Sequence, residues 1–234
     1  MDFKDKVVLV TGAAGALGQK VAVAFGRAGA RRVLVDSNGK GMRDVFGSDG
    51  ADHILLEADL LDLAATQAAV KAAIAKMGKI DILCNIAGGF RMGPAVHETP
   101  DDMWRLMIDL NVNSMLNACR AVVPGMLAAG SGKIVNVGAG AAQKGGANMG
   151  AYAASKSAVI RYTESMAAEL REKNINVNCV LPSIIDTPAN RADMPKADYK
   201  RWVAPASLAQ VILFLASSGA RDVHGAAIPV VGLS

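Results

Sequence analysis

Two residues could do chemistry together. Tyr152 and Lys156 lie four positions apart in Ala-Tyr-Ala-Ala-Ser-Lys, where a helix begins, so the phenol and the ammonium share one face. A free tyrosine titrates near pH ~10, and a cation within hydrogen-bonding range favours its phenolate, moving it toward a catalytic range. Such a pair is also common on ordinary surfaces, and only its surroundings distinguish the cases. Ser155 beside it reads as ordinary helix packing.

A second pattern lies near the start, at Thr11-Gly12-Ala13-Ala14-Gly15-Ala16-Leu17-Gly18. Glycines after an apolar strand let the chain turn tightly and approach a pyrophosphate, whose charge meets free N–H groups at a helix start. An ordinary strand-to-helix turn can also be glycine-rich, so the trio is informative mainly through its place directly after Val7–Val10. Asp36 ends the next apolar run. A carboxylate there accepts hydrogen bonds from adenosine ribose hydroxyls and repels a 2′-phosphate, so the expected cofactor is NAD(H) in preference to NADP(H). Arg31 and Arg32 precede that run, and no basic residue lies in the glycine turn. A helix-capping role is the competing reading of Asp36.

The elements that must position these residues alternate. Strand-like runs at Val7–Thr11, Arg32–Asp36, His53–Glu57, Asp81–Asn85, Lys133–Val137, Ile175–Leu181 and Ala226–Val230 are separated by longer stretches. Helical spacing appears at Leu17–Ala28, Leu63–Met77, Met103–Leu127, Tyr152–Leu170 and Ser207–Ala216. Continuous apolar strands followed by helices predict an α/β fold, a Rossmann-type doubly wound domain whose parallel seven-stranded sheet is flanked by helices. Ligands in such sheets bind beyond the carboxyl ends of the strands.

A chain of 234 residues with 52% hydrophobic content can bury a substantial core. With no linker-like tract or internal repeat, residues 1–234 read as a single domain. The opening apolar run is too short for a signal peptide or a membrane span, which predicts a cytoplasmic protein without membrane contact. Cys84, Cys119 and Cys179 are odd in number and sit in apolar segments, as buried thiols do in a reducing compartment. The net charge of +4 is dispersed, and aromatic residues make up only 4%, so nucleic-acid binding is not expected. His53, His97 and His224 share no ligand spacing, and no metal site is expected.

The glycine turn, Asp59-Leu60, Asn85-Ile86-Ala87-Gly88, Asn111 and Tyr152-x3-Lys156 together resemble the short-chain dehydrogenase/reductase family over nearly the whole chain. The resemblance implies hydride transfer with Tyr152 as acid/base. Lys156 would tune it and hold the nicotinamide ribose, and Asn111 would anchor a water that relays protons. It further implies that Gly12, Gly15, Leu17, Gly18, Asp36, Asp59, Leu60, Asn85, Ala87 and Gly88 line the cofactor cleft, and that Pro182, Ile185 and Thr187 frame the carboxamide. Packing or capping is the alternative for Asn85, Asn111 and Thr187.

Three positions depart from the family pattern. Ala16 stands for a glycine, Ile86 for an asparagine, and Ala139 for the catalytic serine; no Ser or Thr occurs from Ile134 to Ala151. Loss of one oxyanion donor costs ~2.7–4 kcal/mol in carbonyl chemistry, whereas a conjugated ring can spread the added charge. The sequence resembles the quinonoid dihydropteridine reductase branch, which also carries Ala there. The shared stretches include 15–18, 83–89, Ala139–Lys156 and Asp186-Thr187-Pro188-Ala189-Asn190-Arg191 through Trp202. Phe90, Ala139, Met149, Met194 and Trp202 are the expected substrate wall, under a lid formed by the segment after the sixth strand; for Trp202, packing beneath that lid is the alternative. The broad apolar helices resemble those through which family members pair, implying a homodimer or homotetramer. An ordinary ketone, 3-oxoacyl or alcohol substrate, or a non-catalytic NAD-binding sensor, are the competing functions.

Overall fold

The computed structural model describes residues 1–234 and contains one seven-stranded parallel sheet in the order β3-β2-β1-β4-β5-β6-β7. The strands are β1 Val7–Thr11, β2 Arg31–Asp36, β3 His53–Glu57, β4 Ile82–Asn85, β5 Gly132–Val137, β6 Ile175–Pro182 and β7 Ala227–Val230. Eight α-helices connect or follow them: α1 Ala16–Arg27, α2 Gly39–Phe46, α3 Leu63–Met77, α4 Asp101–Ile108, α5 Ser114–Ala129, α6 Gly150–Leu170, α7 Pro188–Asp193 and α8 Pro205–Ala216.

Strand alternation explains why the sheet is covered on both faces. Val7 and Leu9 enter one core with Val70 and Ala73 of α3, Met115 and Val122 of α5, and Val159 of α6. Val8 and Val10 point the other way, against Val21 and Phe25 of α1 and Leu208 and Ile212 of α8. Both sides of β1 are therefore apolar, as its continuous hydrophobic run requires. Strand order reverses at β1, which pairs with both β2 and β4, and the switch-point crevice opens beyond the carboxyl ends there.

Strand positions agree with the expectations to within a residue at each end, but two helical readings change. The helix α2 escapes detection because Gly39 and Gly41 are poor helix formers; Asn38 starts it by accepting from the Gly41 N–H at 2.8 Å. The continuous helix expected over Met103–Leu127 is interrupted, since Asp109–Asn113 form a π-helical turn between α4 and α5. Such turns insert an extra residue into the ladder and often occur at functional sites. No helix is long and apolar enough to cross a membrane.

Candidate active site

The glycine turn is sterically determined. Gly12 has φ of 63°, and a Cβ there would sit 2.8 Å from the Ala87 nitrogen; one on Gly18 would sit 2.1 Å from the Gly12 carbonyl oxygen. Thr11, which drew no attention in the sequence, locks this arrangement: its hydroxyl accepts from the N–H groups of Ile86 (3.0 Å) and Ala87 (3.1 Å). Its position immediately before the glycines was the available signal. Gly15 flanks the start of α1 without a side-chain cap, leaving N–H groups there for an anion, while Leu17 is buried against the core.

Asp36 is not a helix cap. Its carboxylate accepts from the N–H groups of Ala14 and Asn38, both at 2.9 Å, which turns it back toward the glycine loop. Arg31 and Arg32 stand at the opposite end of β2, Arg31 donating to the carbonyls of Met77 and Lys76 and Arg32 packing against Gly26. Neither arginine can reach a group at Asp36.

At the end of β3, Asp59 is exposed and accepts from the Leu61 N–H at 2.9 Å. Leu60 is buried, and its carbonyl receives Asn117 Nδ2 at 2.9 Å. Asn85, expected to line the cofactor cleft with packing as the alternative, has its side chain engaged within the sheet. Its amide turns inward and donates to Asn136 Oδ1 at 2.8 Å, and Asn136 in turn donates to Thr163 at 2.9 Å. Asn85 and Asn136 are register neighbours on β4 and β5, so two buried amides satisfy one another across the sheet.

Lys156 is 5% exposed and donates to the Val137 carbonyl at 2.8 Å. Burial pulls its pKa down to about 8. Tyr152 moves opposite to the sequence expectation: burial pushes it up to about 12. Burial is the cause, with the Phe90 ring edge-on to the phenol, centroids 4.8 Å apart, while the Lys156 ammonium donates to the Val137 carbonyl. Such a phenol stays protonated at neutral pH, which suits a proton donor.

Asn111 lies on the π turn, near Lys156. A Cβ on Gly88 would come within 2.7 Å of Asn111 Oδ1 and 3.2 Å of Lys156 Nζ, so only glycine lets these two side chains converge. The Asn111 amide pairs with the backbone of Gly89, accepting its N–H and donating to its carbonyl, both at 3.0 Å. Ala139, 4% exposed and extended, follows β5 and offers only a methyl group. Met149 precedes α6.

The segment after β6 is internally fastened. Pro182 ends the strand, Ile185 bridges to Val203, and Thr187 caps α7 by accepting from the Asn190 N–H at 3.2 Å. The Ile185 carbonyl takes Asn190 Nδ2 at 2.7 Å. Arg191 grips Asp186 through two hydrogen bonds, at 2.6 and 2.8 Å, and lies over the Tyr199 ring. Trp202, expected in the substrate wall with packing beneath the lid as the alternative, is 8% exposed and packs on Tyr199, centroids 4.8 Å apart. Met194 is half-buried on the same segment, and Phe90 is 41% exposed. No group of three His, Cys, Asp or Glu side chains stands close enough together to hold a metal ion.

Compared with known proteins, residues 6–198 match the short chain dehydrogenase family. A D-threitol dehydrogenase of Mycolicibacterium smegmatis is 35% identical, over 99% of this chain and 94% of its own. A 3-oxoacyl-(acyl-carrier-protein) reductase of Thermotoga maritima is 33% identical, over 99% and 98%. Among solved structures, a 3-ketoacyl-(acyl-carrier-protein) reductase of Brucella melitensis complexed with NADH superposes with a TM-score of 0.91 at 29% identity, covering 99% of this chain and 98% of that one. These relatives are named for unlike substrates, and nothing in them points to the dihydropteridine reductase branch.

Proposed function

The chain belongs to the short-chain dehydrogenase family and is an oxidoreductase, and on that premise we propose that it is an NADH-dependent reductase of a conjugated, quinonoid, dihydropteridine-like ring. A dinucleotide is supported by the turn itself: Gly12 and Gly18 permit the close backbone packing that shapes it, the start of α1 has no side-chain cap, and the Asp36 carboxylate faces the same loop. When bound, the nicotinamide supplies the hydride. Asp36 takes the adenosine ribose hydroxyls and disfavours a 2′-phosphate. Asp59 and Leu60 border the adenine, and the backbone of Ala87 and Gly88 bounds the cleft. Lys156 holds the nicotinamide ribose, and Pro182, Ile185 and Thr187 frame the carboxamide. The NADH named for the Brucella relative supports the cofactor.

Tyr152 gives the proton that accompanies the hydride. With its phenol pushed up to about 12 by burial, it is protonated at neutral pH, the state in which it can donate. Phe90, Met149 and Met194 offer apolar surface to a flat ring. The observation that carries the substrate class is Ala139. Its methyl cannot donate to a developing alkoxide, whereas a conjugated acceptor delocalises the charge and needs protonation only by Tyr152. Purified protein assayed with NADH against quinonoid dihydropterin is expected to turn over, and Tyr152→Phe to lower the rate at least about 100-fold. Failure of every acceptor to oxidise bound NADH would leave the NAD-binding sensor as the reading. The relatives' names favour a second substrate reading, a simple ketone, 3-oxoacyl thioester or alcohol; fast reduction of 2,3-butanedione would establish it.

We further propose residues 1–234 as one domain, acting in the cytoplasm as a homodimer or homotetramer, with a small molecule as its only other partner. Exposed apolar side chains on the helices, Trp104 and Leu106 on α4, Leu127 on α5 and Tyr162 on α6, support self-association.

A further inference from the structure

Ser155 is fully buried, between the two residues proposed for catalysis, and its hydroxyl makes two hydrogen bonds. It donates to the carbonyl of Tyr152 at 2.8 Å and accepts Asn111 Nδ2 at 3.1 Å. Asn111 then has no donor to spare: one Nδ2 hydrogen goes to Ser155, the other to the Gly89 carbonyl, and Oδ1 receives the Gly89 N–H. The result is a continuous polar chain from α6 through the π turn to the loop after β4. The next residue of that loop is Phe90, whose ring touches Tyr152.

We infer that Ser155 is a positioning residue for the reaction, holding the Asn111 amide so that the Gly88–Phe90 loop is registered against Tyr152 and Lys156. The inference rests on the proposed catalytic use of that pair. Neighbouring sterics make the register tight. Gly88 has no room for a Cβ between Asn111 and Lys156, and a rotation of the Asn111 amide would break its paired bonds to Gly89. Ala at 155 would strand one buried Nδ2 hydrogen, whose relief is rotation of the amide. The competing view is that the hydroxyl only returns a bond to its own helix, as Ser commonly does at three residues' distance.

The two views separate in a comparison of Ser155→Ala, Ser155→Thr, Asn111→Ala and the Ser155→Ala/Asn111→Ala double variant. Hydrogen exchange over residues 86–92 reads the loop without substrate, and steady-state NADH oxidation with quinonoid dihydropterin reads the reaction. Ser155→Ala is expected to speed exchange at Gly89, whose N–H is bonded to Asn111, about tenfold and to lower kcat by a similar factor, the scale of one lost hydrogen bond, with a fall of a few degrees in thermal midpoint. Ser155→Thr, which keeps the hydroxyl, restores both, and the double variant is no worse than Asn111→Ala alone. Unchanged loop exchange, or faster exchange with unchanged kcat, overturns the positioning role, as does a double variant whose effects multiply. A wild-type chain without turnover but with the expected exchange pattern would instead defeat the reductase reading, leaving the Ser155–Asn111–Gly89 link in place.

Discussion

At the scale of single residues, the tension lies in Lys156. Its pKa of about 8 stands below the ~10.4 of an unfolded lysine, so between these values the unfolded chain binds more protons and stability rises with pH. The buried ammonium thus destabilises the fold most fully below pH 8, where it is also most useful. Lys156→Met is expected to raise stability at pH 7 by about 1–3 kcal/mol while abolishing turnover, measured by denaturant unfolding alongside the assay. In the wild type, kcat/KM for reduction should be flat at neutral pH and fall as pH passes about 8, where the ammonium deprotonates; Tyr152, pushed up to about 12, adds no limb below that. Gly88→Ala places a methyl 2.7 Å from Asn111 Oδ1 and should cost about 100-fold in kcat in a chain that still folds by circular dichroism.

At the scale of elements, the strands were legible because burial on both faces leaves a run of apolar residues with no competing pattern, as in Val7–Val10 of β1, buried throughout. The π turn was not legible, since Asp109–Asn113 carry no periodicity that differs from a plain helix; what marks it is a contact distant in sequence, from Asn111 to Gly89. The same limit explains Asn85 and Tyr152. Residue type and strand-end position suggested roles in the cleft, but the direction of an amide, or the balance between a cation and desolvation, depends on neighbours such as Asn136 and Phe90 brought from distant parts of the chain. Caps, by contrast, are local and testable. Asp62 accepts from the N–H groups of Ala64 and Ala65 at 2.8 and 3.0 Å, and Asp62→Ala should destabilise the chain by about 1 kcal/mol in urea unfolding, without altering NADH affinity.

At the scale of the whole molecule, parallel register brings Thr11, Asp36, Asn85, Val137 and Pro182 to one edge of the sheet, so chemistry far apart in sequence shares one crevice. The same geometry sends Arg31 and Arg32 to the opposite edge, and the proposed preference for NADH rests on Asp36. Asp36→Asn should narrow the NADH over NADPH preference by at least about tenfold, compared as kcat/KM. The most direct test of the account is Ala139→Ser against the wild type, each assayed with NADH on quinonoid dihydropterin and on 2,3-butanedione. The expected result is a wild type that reduces the pterin well and the diketone poorly, with the new hydroxyl raising diketone reduction about 100-fold and leaving the pterin rate nearly unchanged. A wild type that already reduces the diketone as fast as the pterin, unaffected by Ala139→Ser, would contradict it.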